Sequence, residues 1–395
     1  MPSAPSPPVR TYLLGVCLLI ASGACRSPEP TVRSQAGRPS SHSETLVRDH
    51  PSGSTPRNIV LLIGDGMGLT QITAGMYAAD NRVAMERMRV VGLHKSYSSD
   101  NLITDSAAGA TAFSCGEKTY NGAIGVRPDK SACPTLLESA EELGMPTGLV
   151  VTSTIVHATP AAFYAHEDSR QSYENIAAQL AACDVDFFVG GGQKFFDNRK
   201  EGRDLVAEMR AGGRTVESYF DKRFDEVSAS AKTPYGYFTA AEDPLPAAQG
   251  RDYLPAASEA ALDYLSARDT ADAGFFLMVE GSQIDWGGHA NDGDYIVTEM
   301  MDFSRTLDAV LDWAEADGNT LVVVTADHET GGFAINNGST QDKMKYAFTS
   351  DYHTATMIPV FAEGPGAAAF AGIYENTAIY DKLIRLLGKR SNAAD

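Results

Sequence analysis

The sequence predicts an α/β fold in which a mostly parallel central sheet carries helices on both faces, and three observations predict it. Apolar runs of strand length recur along the chain and end in polar, chemically active residues. Stretches of helical pattern alternate with them, as expected of an open sheet covered by helices. One run, Leu321-Val322-Val323-Val324, is apolar without a break, as a parallel strand buried on both faces requires. The 36 glycines among 395 residues suit this loop-rich architecture better than a helical bundle.

In chain order, strands are expected from Asn58 to Ile63, leading into Gly64-Asp65-Gly66, and from Thr147 to Val151, leading into Thr152-Ser153-Thr154. Further strands are expected from Gly274 to Val279, before Glu280-Gly281, from Thr320 to Val324, before Thr325-Ala326-Asp327-His328, and from Met357 to Phe361. Helices are expected over Cys133 to Leu143, Gln171 to Cys183, Ser258 to Ala267 and Asp292 to Ala316. The charged stretch from Gln193 to Arg251 is broken by Gly212-Gly213, Pro234, Pro244 and Pro246. It reads as an excursion from the sheet, with one helix near Arg203 to Arg210.

Residues 1–24 read as an export leader. Arg10 flanks a short apolar stretch, Thr11 to Ala24, too short to span a membrane. The leader ends Ser22-Gly23-Ala24 before Cys25. Cleavage there is expected either to leave Cys25 as a lipid anchor, in the manner of a bacterial lipoprotein, or to release a periplasmic or secreted protein. Residues 25–56, rich in Ser, Pro, Thr and Arg, read as a flexible tether to one domain over residues 57–390. Of the cysteines beyond Cys25, namely Cys115, Cys133 and Cys183, two can pair and one stays free; the sequence does not choose the pair. The net charge of -19 argues against a nucleic-acid surface. It leaves a phosphate substrate open, because metal ions or a few arginines can invert the local field.

Ligands of open α/β sheets sit beyond the carboxyl ends of the strands. Asp65, Glu280, Asp327 and His328 all fall at such ends. Asp285 and His289 are four residues apart and share one side of a helical turn. With Glu280 they offer mixed oxygen and nitrogen ligation, which suits zinc, whereas an all-oxygen site suits magnesium. A surface loop with incidental charges is the plainer alternative for that segment. Ser106 opens the small-residue stretch Ala107-Ala108-Gly109-Ala110-Thr111-Ala112, which suits a helix start with amides directed at an anion. An ordinary helix cap, by Asp105 or Ser106, would look the same. No Gly-x-Ser-x-Gly elbow is present, so a nucleophilic Ser106 needs metal coordination for its activation. His353 gains weight only from the company of the other ligands.

As an ordered set, Asp65 to Gly68, Thr104 to Ala112, His157-Ala158-Thr159-Pro160, Glu280 to His289, Thr325 to His328 and His353-Thr354 resemble the alkaline phosphatase family, in particular its compact bacterial members. The likeness runs from about Asn58 to about Leu387. It implies hydrolysis of phosphate monoesters by a homodimer with short crown-type insertions, two zinc ions and one magnesium ion. By the same resemblance, Ser106 is the nucleophile that becomes phosphoserine. Asp285, His289 and His353 would ligate the zinc that holds the attacking water, and Asp65, Asp327 and His328 the zinc that activates the serine. Asp65 would bridge to magnesium with Thr159 and Glu280, and Arg170 would clamp phosphate. Two positions depart from the enterobacterial pattern, His157 where it has Asp and Trp286 where it has Lys. Both are expected near the phosphate and the third ion, whose identity they leave open, and His157 is expected to support that ion more than to ligate it.

A phosphodiesterase or phosphonate hydrolase of the same superfamily would share the two-metal ligand set; Arg170, Thr159 and Glu280 favour monoesters. A sulfatase needs a Cys-x-Pro-x-Arg segment, which is absent. A non-catalytic exported metal- or phosphate-binding lipoprotein would keep the ligands but could dispense with Ser106.

Overall fold

In the computed structural model, which describes residues 54–341 and 343–388, alternate side chains of the first strand leave the backbone on opposite sides. Both sides are apolar: Ile59, Leu61 and Ile63 enter one core, Val60 and Leu62 another. A strand with no polar side has to be covered twice. The leader, Cys25 and the tether up to residue 53 lie outside the described residues.

The strands are β1 Asn58–Gly64, β2 Val90–Lys95, β3 Thr147–Thr154, β4 Phe187–Gly191, β5 Thr215–Ser218, β6 Tyr235–Phe238, β7 Phe276–Gly281 and β8 Thr320–Thr325. After them come β9 Glu329–Thr330, β10 Ala334–Ile335, β11 Tyr346–Ala347, β12 His353–Thr354, β13 Ile358–Glu363 and β14 Gly372–Glu375. Ten of them form one sheet in the order β14-β2-β13-β8-β1-β7-β3-β4-β6-β5. Only β13 runs against its neighbours, β2 and β8; every other junction is parallel. The helices Ser106–Cys115, Leu136–Glu142, Tyr173–Ala182 and Thr377–Gly388 cover one face, contributing Phe113, Leu136, Ile176 and Leu383 to its core. Leu69–Ala78, Tyr253–Arg268 and Gly293–Asp317 cover the other, with Ile72, Leu262 and Phe303. The predicted α/β class, with helices on both faces, is what the chain adopts.

One expectation is corrected. The stretch from Gln193 to Arg251 does not leave the sheet: it supplies β5 and β6, the last two strands at one edge. The four residues of β6 are all buried, and Tyr235 stacks on Phe187 of β4 at 5.5 Å between ring centroids. Short aromatic strands between prolines carry too little period-two pattern to stand out. The cysteine question is also answered, since Cys115 bonds to Cys133 and Cys183 stays free.

Candidate active site

Because β1, β7 and β8 are adjacent and parallel, their carboxyl ends lie side by side. Asp65, Glu280 and Asp327-His328 therefore meet, all fully buried. Two glycines make the convergence tight. Gly66 has φ +73°, and a Cβ there would come within 2.7 Å of the Asp285 backbone and of Thr330 Oγ1. A Cβ on Gly109 would stand 2.8 Å from Asp327 Cβ, so the small residues after Ser106 let that helix approach the turn after β8.

Asp285 and His289 lie on the short helix Gln283–His289, and His289 Nε2 is 3.4 Å from Asp285 Oδ2. His353 arrives from elsewhere: the two-residue ladder of β12 against β9 pairs it with Thr330. Three sets then have candidate ligand atoms within 4.8 Å of one another: Asp285, His289 and His353; Asp65, Asp327 and His328; and Asp65, His157 and Glu280. Thr159 is fully buried beside Glu280.

Hydrogen bonds assign the histidine tautomers. His289 Nδ1 meets the Asp351 carbonyl at 2.7 Å, and His353 Nδ1 meets the Thr104 carbonyl at 2.8 Å. Each Nδ1 is thus a donor and each Nε2 a bare acceptor, yet the two Nε2 atoms face each other at 3.1 Å. Thr330 Oγ1 donates to Asp285 Oδ1 at 2.5 Å and so accepts from His328 Nδ1 at 3.2 Å. The bare Nε2 of His328 points at Asp327 Oδ2 at 3.2 Å, Asp65 Oδ1 at 3.5 Å and Ser106 Oγ at 3.3 Å. Both Asp65 oxygens, Asp327 Oδ2 and Glu280 Oε1 are buried without a hydrogen-bond partner among the described residues. Acceptors converging on acceptors are what a cation site looks like.

The titration behaviour agrees. Burial, reinforced by Asp327, Asp285 and Glu280, drives the Asp65 carboxyl well above its ordinary range. Burial likewise pushes Glu280 up to about 8 and Asp327 up to about 7. Burial and the neighbouring His353, His289 and Arg170 drive His328 well below its ordinary value. A divalent ion lets such carboxylates ionise and such imidazoles ligate.

Ser106 is the first residue of its helix, and Asp105 is the cap, accepting from the Ala108 amide at 3.0 Å. The other Asp105 oxygen holds Arg170 Nη1 at 3.1 Å. Arg170 Nη2 donates to His157 Nε2 at 3.1 Å, which leaves the proton on His157 Nδ1. In this arrangement His157 orients the guanidinium, and ligating an ion would cost that hydrogen bond. Burial beside Arg170 lowers His157 to about 3. Trp286 stands edge-on to His157 at 6.4 Å between centroids. Every catalytic, phosphate-binding and metal-ligand candidate singled out in the sequence thus falls in one cluster. Sequence reasoning did not find Thr330, or Asp105 as the anchor of Arg170. The only signal for Asp105 was its position before Ser106, and Thr330 gave none.

Comparison with known proteins follows the same line. A sequence model of the alkaline phosphatase family matches residues 56–343. Alkaline phosphatase 3 of Bacillus subtilis is 40% identical over 294 residues, covering 71% of this chain and 62% of that protein. The chain therefore spans less than two thirds of that relative's length. Alkaline phosphatase of Escherichia coli is 30% identical over 415 residues, covering 87% of this chain and 88% of that one. The solved structure of alkaline phosphatase from the Antarctic bacterium TAB5 superposes with a TM-score of 0.78 at 41% identity, over 85% of this chain and 98% of that one.

Proposed function

The chain belongs to the alkaline phosphatase family, and from that premise we propose that it hydrolyses phosphate monoesters through a phosphoserine formed on Ser106. The observation that carries this reading is the position of Ser106 Oγ, 3.3 Å from the bare Nε2 of His328 and beside the Asp65–Asp327–His328 set. We assign zinc to the two sets that hold histidine pairs or neighbours, Asp285–His289–His353 and Asp65–Asp327–His328. Magnesium goes to Asp65, Thr159 and Glu280, where the donors are oxygens. Bound zinc supplies a lowered pKa at the serine hydroxyl and neutralises charge on the attacking and leaving oxygens.

The residues divide the work as follows. The amides of the helix start and the guanidinium of Arg170 hold the phosphate oxygens, with Asp105 and His157 fixing the guanidinium plane. Ser106 Oγ forms its bond to phosphorus as the bond from phosphorus to the alcohol oxygen breaks, and the alcohol leaves on the opposite side. Water then attacks the phosphoserine from that side, releasing phosphate and restoring Ser106. Nothing in this sequence of events requires a particular alcohol, so a broad range of monoesters is expected. The disulfide between Cys115 and Cys133 supports export, since such bonds persist outside the reducing cytosol.

The test is turnover of a chromogenic phosphate monoester against the matching diester, with zinc and magnesium supplied. Faster monoester turnover is expected, and faster diester turnover would sink the proposal. In Ser106→Ala, labelled phosphate should no longer be trapped on the protein while its metal content stays near that of the parent. Trapping that persisted would reject Ser106 as the nucleophile.

A further inference from the structure

In-line displacement puts the leaving oxygen opposite Ser106. Ser106 stands beside His328, and His353 stacks on His328 at 3.5 Å between centroids and 15° between planes. Under the monoesterase reading above, the leaving oxygen would lie against the Asp285–His289–His353 set, in which the His289 and His353 Nε2 atoms are 3.1 Å apart and His289 is partly exposed. The partly exposed His289 puts the open side of this set next to the group attached to the leaving oxygen.

Tyr352 stands beside both rings. Its ring lies flat on His353, 4.3 Å between centroids and 8° between planes, and 5.9 Å from His289. It is nonetheless 45% exposed. The backbone holds it in place: its amide donates to Ser350 Oγ at 2.9 Å and its carbonyl accepts from the Gly331 amide at 2.9 Å. An exposed aromatic ring held rigidly beside ligand imidazoles is a stacking surface that has already lost its freedom, so a second ring can use it at little entropic cost.

We propose that Tyr352 is a specificity-determining residue that stacks on planar leaving groups, so that aryl phosphates are favoured over alkyl phosphates of similar size. This rests on the monoesterase reading above. The favoured step is binding and departure of the alcohol; the phosphate end is held by Arg170 and Ser106 whatever the leaving group.

The experiment compares kcat/KM for phenyl phosphate and ethyl phosphate in the metal-loaded parent, in Tyr352→Ala and in Tyr352→Phe, together with inhibition by inorganic phosphate. In Tyr352→Ala the ratio of phenyl to ethyl phosphate should fall roughly fivefold, the usual worth of an aromatic pair. Inhibition by phosphate and turnover of ethyl phosphate should stay within about twofold, as expected when the phosphate contacts are untouched. Tyr352→Phe should keep the parent's ratio, since the ring and not the hydroxyl is at issue. An unchanged ratio in Tyr352→Ala overturns the proposal. So does an equal fall for both esters with weakened phosphate inhibition, which would make Tyr352 a support for His353 alone. A parent that turns over neither ester overturns the monoesterase reading and this proposal together, an outcome distinct from an active parent with an unchanged ratio.

Discussion

Replacing Thr330 by Val keeps the shape of a fully buried side chain and removes one hydroxyl. That hydroxyl is shared: it donates to Asp285 Oδ1 and accepts from His328 Nδ1, and so joins the Asp285–His289–His353 set to the Asp65–Asp327–His328 set. Its loss leaves the His328 N–H buried without a partner, a cost of about 1–3 kcal/mol. The proton can then move to Nε2, where it blocks the lone pair aimed at Asp65, Asp327 and Ser106. No rearrangement is at hand, because Thr330 is pinned opposite His353 in the β9–β12 ladder and pressed against Gly66. Loss of such an orienting partner lowers metal affinity by about 10–100-fold, or about 1.4–2.7 kcal/mol. Competition with a chromophoric zinc chelator measures it directly. Thr330→Val should release zinc at 10- to 100-fold lower chelator concentration, about the factor expected of an outer partner, and Thr330→Ser, which keeps the hydroxyl, should hold it like the parent. Equal affinities in the Val and Ser variants would refute the tautomer argument.

Two further outcomes follow from the fold. The Cys115–Cys133 bond closes a loop of 18 residues at the end of the Ser106 helix; its loss should cost about 3 kcal/mol. Thermal denaturation of a Cys115→Ser, Cys133→Ser variant should therefore give a midpoint roughly 4 °C lower for a domain of this size, and an unchanged midpoint would show the bond to be dispensable. The second concerns pH. The hydrogen bond that His166 Nε2 donates to Glu138 Oε1 at 3.0 Å raises His166 above its ordinary value. Burial opposes ionisation of Glu138, but the His166 hydrogen bond and the Thr135 amide outweigh it and hold the carboxyl low. A raised histidine stabilises fully below pH 6.5 and loses that contribution as pH rises through its folded value; a lowered carboxylate stabilises above pH 4.5 and loses it as pH falls. The pair is thus strongest between those limits, at less than about 1 kcal/mol given its exposure. Urea midpoints at pH 5.5 and 8.5 should differ by less in His166→Gln than in the parent; equal differences would remove the pair from the account.

The parts of the fold legible in the sequence are those with a one-to-one relation between burial and residue type. β1 and β8 are covered on both faces and therefore read as unbroken apolar runs. β2, Val90–Lys95, carries Gly92 and His94 and is exposed at Val91, so neither an apolar run nor a clean alternation marks it. β5 and β14 have four residues each and exist as strands because an edge of the sheet offers them partners. In the site, residues at strand ends could be found because a polar side chain after an apolar run has few structural reasons to be there. Asp105 was weighed only as a cap. One of its oxygens does cap the helix and the other holds Arg170, a division that no local pattern encodes.

Thr330 shows why the remainder was out of reach, and its pairing with His353 shows what the sequence left unsaid about a residue it did single out. Each is unremarkable alone, and their pairing depends on the chain between β9 and β12 turning back on itself. Once it does, three imidazoles of the candidate metal sets are fixed through the same nitrogen by three unrelated acceptors: the Asp351 carbonyl for His289, the Thr104 carbonyl for His353 and the Thr330 hydroxyl for His328. Independent segments would not all select Nδ1–H unless a common demand fell on Nε2. That demand is legible in the distances, since two bare nitrogens held 3.1 Å apart repel unless something electron-poor lies against both. The scaffold therefore holds these lone pairs free for a cation through its own hydrogen bonds.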